Sequence, residues 1–380
     1  MKVDNLIIGS GYAGLTCALE AQSGSTLLVN DDASHWASTR LHQFFSGLAK
    51  PCVDLAGLLA EKDLHFMQAS YKLDFAKLDE IQDQKKIIIN KNEIEFNNIV
   101  FAVGAKSRKI PTEAIDVPML TLKDFKSQDL WDRGPEALLK GIVSKDPVYF
   151  IGGGATGIQM LFEFLTVARK KYKLENEIYL VTGDSGFFTG LSDKFSRVVQ
   201  KRLQKHRVQV LFNSLVSKVQ GNKIHLTDLS GSHLEMLSAS AVFSFPGIQP
   251  GLEEFSCDQY GRLIANNKVY DSIFAIGDFT RYQSKGLNSD SAQAAVRKGK
   301  LVAQNLRLKN ESKRLKPYNY KELGYFLSLG RGDGVGWMLH PENVIDGPPA
   351  LVIKEAIEVQ HDLYLKGFDT YLPFGNIFLN

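Results

Sequence analysis

Cysteine is scarce in this chain. Cys17, Cys52 and Cys257 are its three cysteines in 380 residues, and no two form a Cys-x-x-Cys pair. That excludes a disulfide framework and a sequence-local zinc or iron–sulfur site, so no metal is expected. Cys17, inside LTCALEA, reads as a small core residue, Cys257 precedes a turn, and Cys52 follows Pro51 without a resolving partner. Net charge is also small: 45 Lys and Arg against 42 Asp and Glu leave +3. No nucleic-acid partner follows from so mild a bias. Long apolar runs are missing too. The longest stretch without a charged residue, Met236 to Leu252, is broken by Pro246, Gly247, Pro250 and Gly251. A membrane-spanning helix needs about 18 apolar residues. The opening MKVDNLIIGSGYAG enters a strand at once, with no cationic leader, so a cytoplasmic protein is expected. The length and a 44% hydrophobic content suit two to three globular domains.

What is present is a unit of strand, glycine-rich turn and helix, occurring twice. The first copy is Val3–Ile8, then Gly9-Ser-Gly11-Tyr12-Ala13-Gly14, then a helix to about Gln22. The second is Val148–Ile151, then Gly152-Gly-Gly154-Ala155-Thr156-Gly157, then a helix to about Arg169. A further strand follows each, Ser25–Val29 and Ile178–Val181. In that context the glycines have a mechanism. The first allows the tight turn, the second lets backbone approach a pyrophosphate, and the third lets helix pack on strand, while the helix N-terminus faces the phosphates. Two copies predict two dinucleotides.

An acidic residue about 20 positions on should meet the ribose hydroxyls. In the first copy Asn30-Asp31-Asp32 closes the second strand, with Asp31 in range and Asn30 an alternative occupant. In the second, Thr182 stands where a carboxylate is usual and Asp184 comes two residues late. No arginine follows closely to pair with a 2′-phosphate, so NADH with modest preference is expected. Further on, Asp271-Ser-Ile-Phe-Ala-Ile-Gly277-Asp278 precedes a helix through Ala292 and Gln293 to Gly299. Asp278 ends a buried strand and can accept a hydrogen bond from a ribityl hydroxyl. The following helix N-terminus can face the pyrimidine edge of a flavin, whose reduced form is anionic.

GSGYAG, FAVGA at 101–105, GGGATG, FPGIQP at 245–250 and FAIGDF at 274–279 come in this order. In this the chain resembles the pyridine nucleotide-disulfide oxidoreductase-like flavoproteins, and within them type II NADH dehydrogenases, the single-subunit NADH:quinone oxidoreductases. The resemblance covers roughly residues 1–310. It implies an α/β protein with two Rossmann-like domains, the second inserted in the first: an FAD domain of 1–112 and 240–314, an NAD(P)H domain of 113–239, and a small C-terminal domain of 315–380. The FAD set it implies is Gly9, Gly11, Tyr12, Ala13, Gly14, Asn30, Asp31, Arg40, Ala102, Gly277, Asp278 and Ala292. Gly152, Gly154, Ala155, Thr156, Gly157 and Thr182 would hold NADH, and Gly104 and Gly247 would mark the paired crossings beside cofactor. Gln159 and Gln293 would stand by the flavin. Departures are Gln159 where the family has glutamate, Arg297 where glutamine is common, and Val103 where threonine is usual.

The implied activity is hydride transfer from NADH to FAD, then two electrons to a quinone. The alternatives are a soluble NAD(P)H oxidase or diaphorase and a flavin-binding redox sensor resembling apoptosis-inducing-factor relatives. Disulfide reductases and sulfide:quinone reductases of this scaffold need cysteines that are absent here. Between 351 and 365, Leu351, Val352, Ile353, Ala356, Ile357, Val359, Leu363 and Leu365 give an apolar face, with Lys354, Glu355, Glu358, His361 and Asp362 opposite. In the family such a segment lies on the membrane surface, which implies peripheral contact with the inner face of the cell membrane; a core helix with an apolar tail, or a homodimer contact, is the other reading.

Overall fold

The computed structural model describes residues 1–21, 25–104, 106–249 and 255–371. Gln22, Ala105, Pro250 and the apolar tail beyond Tyr371, all named in the sequence reading, lie outside the described residues. Contacts divide the chain into two units, with the first built from Met1–Ala37, Pro51–Lys106 and Gln249–Glu322. The second comprises Ser38–Lys50, Ser107–Ile248 and the described part of Leu323–Asn380.

In the first unit five strands run parallel in the order His65–Gln68, Thr26–Asn30, Lys2–Ile8, Asn92–Phe101, Lys268–Ala275. Leu6, Ile7 and Ile8 are buried on both sides of the sheet, which is why the opening strand reads as an unbroken apolar run rather than an alternation. Register is tight: Ile8 sits beside Val29 on one side and Phe101 on the other. Antiparallel strands extend the sheet at Lys86–Ile89 and at Arg262–Ala265. The helices Tyr12–Glu20 and Ala292–Asn310 cross almost backbone to backbone, because a Cβ at Gly299 would lie 2.5 Å from the Ala13 carbonyl oxygen.

The second unit repeats this plan. Its parallel order is Val208–Leu211, Ile178–Val181, Val148–Ile151, Ala241–Ser244, Met119–Thr121. In both sheets the order reverses beside the strand that precedes the glycine turn, the switch point where α/β sheets bind ligands. A second sheet of His233–Ser238, Lys223–Thr227, Leu215–Gln220 and Thr112–Glu113 flanks it.

The units divide the chain differently from the expected domains. The boundaries fall after Lys106 and Ile248, so the strand Ala241–Ser244 belongs to the second unit, and residues 315–322 stay with the first. Two further segments change side. Ser38–Lys50 groups with the second unit because Phe44 and Phe45, each 1% exposed, enter its aromatic core. Phe45 meets Phe164 and Phe243 at centroid distances of 5.4 and 5.8 Å, and Phe44 meets Phe125 at 5.4 Å. The segment after Leu323 joins the same unit instead of standing apart. Its strands Gly324–Ser328, Gly334–Met338 and His340–Asp346 form an antiparallel sheet under the helix Pro348–Leu365. Arg202 ties that sheet to the helix Asp193–Lys205, pairing with Asp333 at 2.6 Å and Asp346 at 3.2 Å.

Candidate dinucleotide sites

The two glycine turns are nearly the same object. Gly9 and Gly152 both have φ of 106°, a backbone that side chains rarely adopt. Each donates its N–H to the neighbouring strand, Gly9 to the Val29 carbonyl and Gly152 to the Val181 carbonyl, both at 2.8 Å. A Cβ at Gly9 would stand 2.3 Å from the Ala102 carbonyl oxygen, and one at Gly152 would stand 1.9 Å from that of Phe245. The third glycines are equally forced: Cβ atoms at Gly14 and Gly157 would lie 1.9 and 2.0 Å from the carbonyl oxygens of Gly9 and Gly152. The middle glycines differ. Among the described residues nothing stands within 4 Å of a Cβ at Gly11 or Gly154. Packing does not require glycine there, whereas close approach of a ligand does.

Gly11 and Gly154 are also the N-caps of Tyr12–Glu20 and Ala155–Lys170, and no side chain caps either helix. Neither has an acid in its first turn. Both N-termini thus keep their positive pole for an anion. Tyr12, Ala13, Ala155 and Thr156 occupy these first turns as expected.

The first turn is braced by two side chains. Asn30 accepts from the Ser10 N–H at 3.0 Å and donates to the Asp32 carbonyl at 2.8 Å. His35, which sequence reasoning passed over, holds the Ser10 carbonyl at 2.7 Å, so Nδ1 carries the proton. Asn30 therefore shapes the loop, and Asp31, exposed at the strand end, is the carboxylate beside it.

Ala102 follows the Asn92–Phe101 strand and passes over Gly9, as Phe245 passes over Gly152. Gly104 and Gly247 have φ of 64° and 87° with open space at the Cβ, and the chain changes unit just after each. Gly277, φ 98°, turns the Lys268–Ala275 strand toward Asp278, and its Cβ would lie 3.5 Å from that of Ala13. Asp278 Oδ1 is buried and has no hydrogen-bond partner among the described residues. Burial pushes this carboxyl up to about 6, Asp290 adds to the rise, and Lys298 and Arg281 oppose it. Thr280–Tyr282 forms an edge strand before the helix that carries Ala292 and Gln293, both half-buried in its first turn. That helix is capped by Ser291, whose hydroxyl accepts from the Ala294 N–H at 3.2 Å. Arg40 lies in the second unit, where it pairs with Asp362 at 2.7 Å.

In the second unit Thr182 is 4% exposed, and its hydroxyl donates to the Asp184 carboxylate at 3.1 Å. The Asp184 N–H returns to the same hydroxyl at 3.3 Å. Thr182 is thus spent on orienting Asp184, which stays exposed at the strand end. Gln159 is buried, and its Oε1 accepts from the Ser328 N–H at 3.1 Å. One turn on, Glu163 accepts from the hydroxyls of Ser46 and Ser328. Burial raises its carboxyl above the ordinary range. The signal for Glu163 was in the sequence, a single acid inside MLFEFL. Beyond it lies a buried polar cluster. Lys354 pairs with Glu358 at 2.5 Å, Glu358 accepts from Gln43 at 3.0 Å, and His42 stands 3.4 Å from Lys354. Burial, then the Lys354 charge, drives the His42 imidazole well below its usual value, so it is neutral.

This donor set fits two dinucleotides: two uncapped helix N-termini over open glycines, and one orphaned carboxylate oxygen beside the first. Among the described residues no His, Cys, Asp and Glu group could hold a metal.

Comparison with known proteins agrees with this geometry. The profile of the pyridine nucleotide-disulphide oxidoreductase family matches residues 3–299. The type II NADH:quinone oxidoreductase of Haemophilus influenzae is 23% identical, covering 87% of this chain and 86% of its own length. That of Staphylococcus aureus strain MSSA476 is 24% identical over 93% and 94%. Among solved structures, NDH2 from Plasmodium falciparum in complex with NADH aligns with a TM-score of 0.77 at 15% identity, over 95% and 94% of the two chains. The sulfide:quinone oxidoreductase of Aquifex aeolicus aligns with a TM-score of 0.77 at 17% identity, over 99% and 95%. At such identities the structural likeness carries the fold. With the family profile spanning most of its length, and both glycine turns in place, the chain belongs to the pyridine nucleotide-disulphide oxidoreductase family.

Proposed function

We propose that the chain is a type II NADH dehydrogenase, an FAD-dependent enzyme that oxidises NADH and reduces a quinone. The observation that carries this reading is the duplicated glycine cradle, one in each unit and each open only at its middle glycine. The names of the relatives, which this chain matches over most of their length, supply the quinone. When bound, FAD supplies the two-electron chemistry, taking hydride from NADH and giving electrons to the acceptor.

The residues have separable roles. Gly11 and the Tyr12–Glu20 N-terminus bind the FAD pyrophosphate, and Asp278 accepts a hydrogen bond from its ribityl chain. Gly154 and the Ala155–Lys170 N-terminus bind the NADH pyrophosphate. Asp184, aimed by Thr182, meets the adenosine ribose and repels a 2′-phosphate. Quinol formation consumes protons, and Glu163 is a buried acid suited to hold one where Gln159 cannot.

The helix Pro348–Leu365 supports peripheral membrane contact. Its buried face mixes Lys354, Glu358 and His361 with Ala350, Tyr364 and Leu365, while Val352 and Val359 are 63% and 51% exposed and Phe368 beyond it 65%. Three residues of the charged side, Lys354, Glu358 and His361, face the core instead, because Lys354 and Glu358 meet His42 and Gln43 there, while Glu355 stays exposed. Outward Val352, Ala356 and Val359, with Glu355 among them, suit the interface of a membrane, where an apolar quinone resides. Among the described residues no helix is long and apolar enough to cross a membrane. Sulfide oxidation is disfavoured, since Cys17 and Cys257 are buried and burial raises both thiols. That leaves half-exposed Cys52 as a single accessible thiol where that chemistry needs a pair.

The test is anaerobic mixing of the yellow protein with NADH, then with a soluble ubiquinone or menaquinone analogue. Rapid bleaching followed by reoxidation on quinone is expected. Bleaching that only oxygen reverses would replace this reading with an oxidase, and no bleaching would remove it.

A further inference from the structure

Lys298 is fully buried on the Ala292–Asn310 helix. Its Nζ donates to the carbonyls of Gly277 at 3.2 Å and Thr280 at 2.9 Å. The rings of Tyr282 and Tyr318 lie 5.2 and 5.8 Å from it. Burial lowers this amine to about 8, Arg281 lowers it further, and Asp278, Cys257 and Asp290 hold it up. At pH 7 it is an ammonium.

Filling this slot does not require charge. Taking an ammonium out of water is costly, and carbonyls and aromatic faces offset that only in part. A methionine of similar length would pack there. Both carbonyls also have other donors: Thr280 Oγ1 reaches Gly277 O at 2.8 Å, and Arg281 Nη1 reaches Thr280 O at 3.3 Å. What the ammonium adds is a tie between the helix and the Gly277–Thr280 turn, which carries Asp278 and its unpartnered oxygen. The next residue, Gly299, seats the same helix on Ala13 of the first glycine turn. Two adjacent residues thus grip both halves of one cradle.

We propose that Lys298 is a positioning residue of the flavin site: its ammonium fixes the turn that presents Asp278 to the ribityl chain, and its charge favours both the Asp278 carboxylate and the anionic reduced flavin. This rests on reading the first cradle as the FAD site.

The experiment compares wild type, K298M, D278N and the double variant as full chains, stripped of flavin and retitrated with FAD. If wild type binds no FAD, the reading of the cradle fails first. If it binds, K298M should bind about tenfold more weakly, the size of one charge-assisted hydrogen bond. Its flavin-free Tm should be unchanged or higher, and its bound flavin should have a more negative reduction potential. The double variant should lose no more affinity than D278N alone, because Lys298 acts through Asp278. Unchanged FAD affinity in K298M, losses that add in the double variant, or a parallel fall of flavin-free Tm and affinity would each overturn the proposal. Should K298M fail to fold, K298Q keeps a donor and removes the charge; if that also fails to fold, Lys298 is structural and the proposal falls.

Discussion

At the scale of single residues, three glycines that look alike in GSGYAG have different reasons to exist. A Cβ at Gly14 would abut backbone at 1.9 Å, while one at Gly11 would abut nothing among the described residues. Gly14→Ala should therefore cost about 3 kcal/mol or more through overpacking, read in the denaturation midpoint. Gly11→Val should fold normally, since its φ of −61° and ψ of 178° in magnitude suit any residue. It should emerge colourless; a fully flavinated Gly11→Val protein would refute the pyrophosphate role. Asp278 gives a pH signature of two opposite signs. Its carboxyl titrates near 6 in the folded chain against about 3.9 unfolded. For the flavin-free protein this raised value contributes stability that is fully present below about 3.9 and is lost as pH rises through about 6. FAD, which needs the carboxylate as acceptor, should instead bind more weakly as pH falls from 7 to 5. Asp278→Asn should flatten both profiles, and a wild-type FAD affinity level across that interval would count against the assignment.

At the scale of elements, the helix Pro348–Leu365 turns Lys354 and Glu358 inward and its valines outward. Lys354 and Glu358 are both 8% exposed at the side chain, so this is a buried pair. Lys354→Met leaves the Glu358 carboxylate without its cation and should destabilise by about 3–5 kcal/mol, measured by denaturant titration. Val352→Glu together with Val359→Glu touches no such pair. It should shift stability by about 0.5 kcal/mol or less while abolishing cosedimentation with anionic lipid vesicles. Retained vesicle binding would place any membrane contact elsewhere.

At the scale of the whole molecule, each cradle is built within its own unit, so the two ligands should stabilise through separate glycines. A ligand at 100 times its Kd adds about 2.7 kcal/mol to folding stability. Gly11→Val should lose the rise in Tm caused by FAD and keep that caused by NADH, and Gly154→Val should do the reverse. Loss of both responses in either variant would mean that one site had been mistaken for two.

The sequence by itself determined the two glycine turns, the strands and helices around them, and the duplicated parallel plan, because these follow from local rules. A glycine at φ 106°, an apolar run buried on both faces, and a helix of 3.6-residue period are each encoded within about 30 residues. The turns at Gly9–Gly14 and Gly152–Gly157 and the strand end at Gly277 and Asp278 were legible for the same reason. Tertiary structure alone decided which partners distant residues would find. Phe44 and Phe45 carried Ser38–Lys50 into the second unit, and Arg40 went with them to Asp362. His35 reached back to Ser10, and Lys298 to the Asp278 turn. The inward face of the last helix was decided by Gln43 and His42, more than 300 positions earlier. A periodicity shows that a helix has two faces; which one is buried depends on what the rest of the chain brings to it, and buried charges follow their partners.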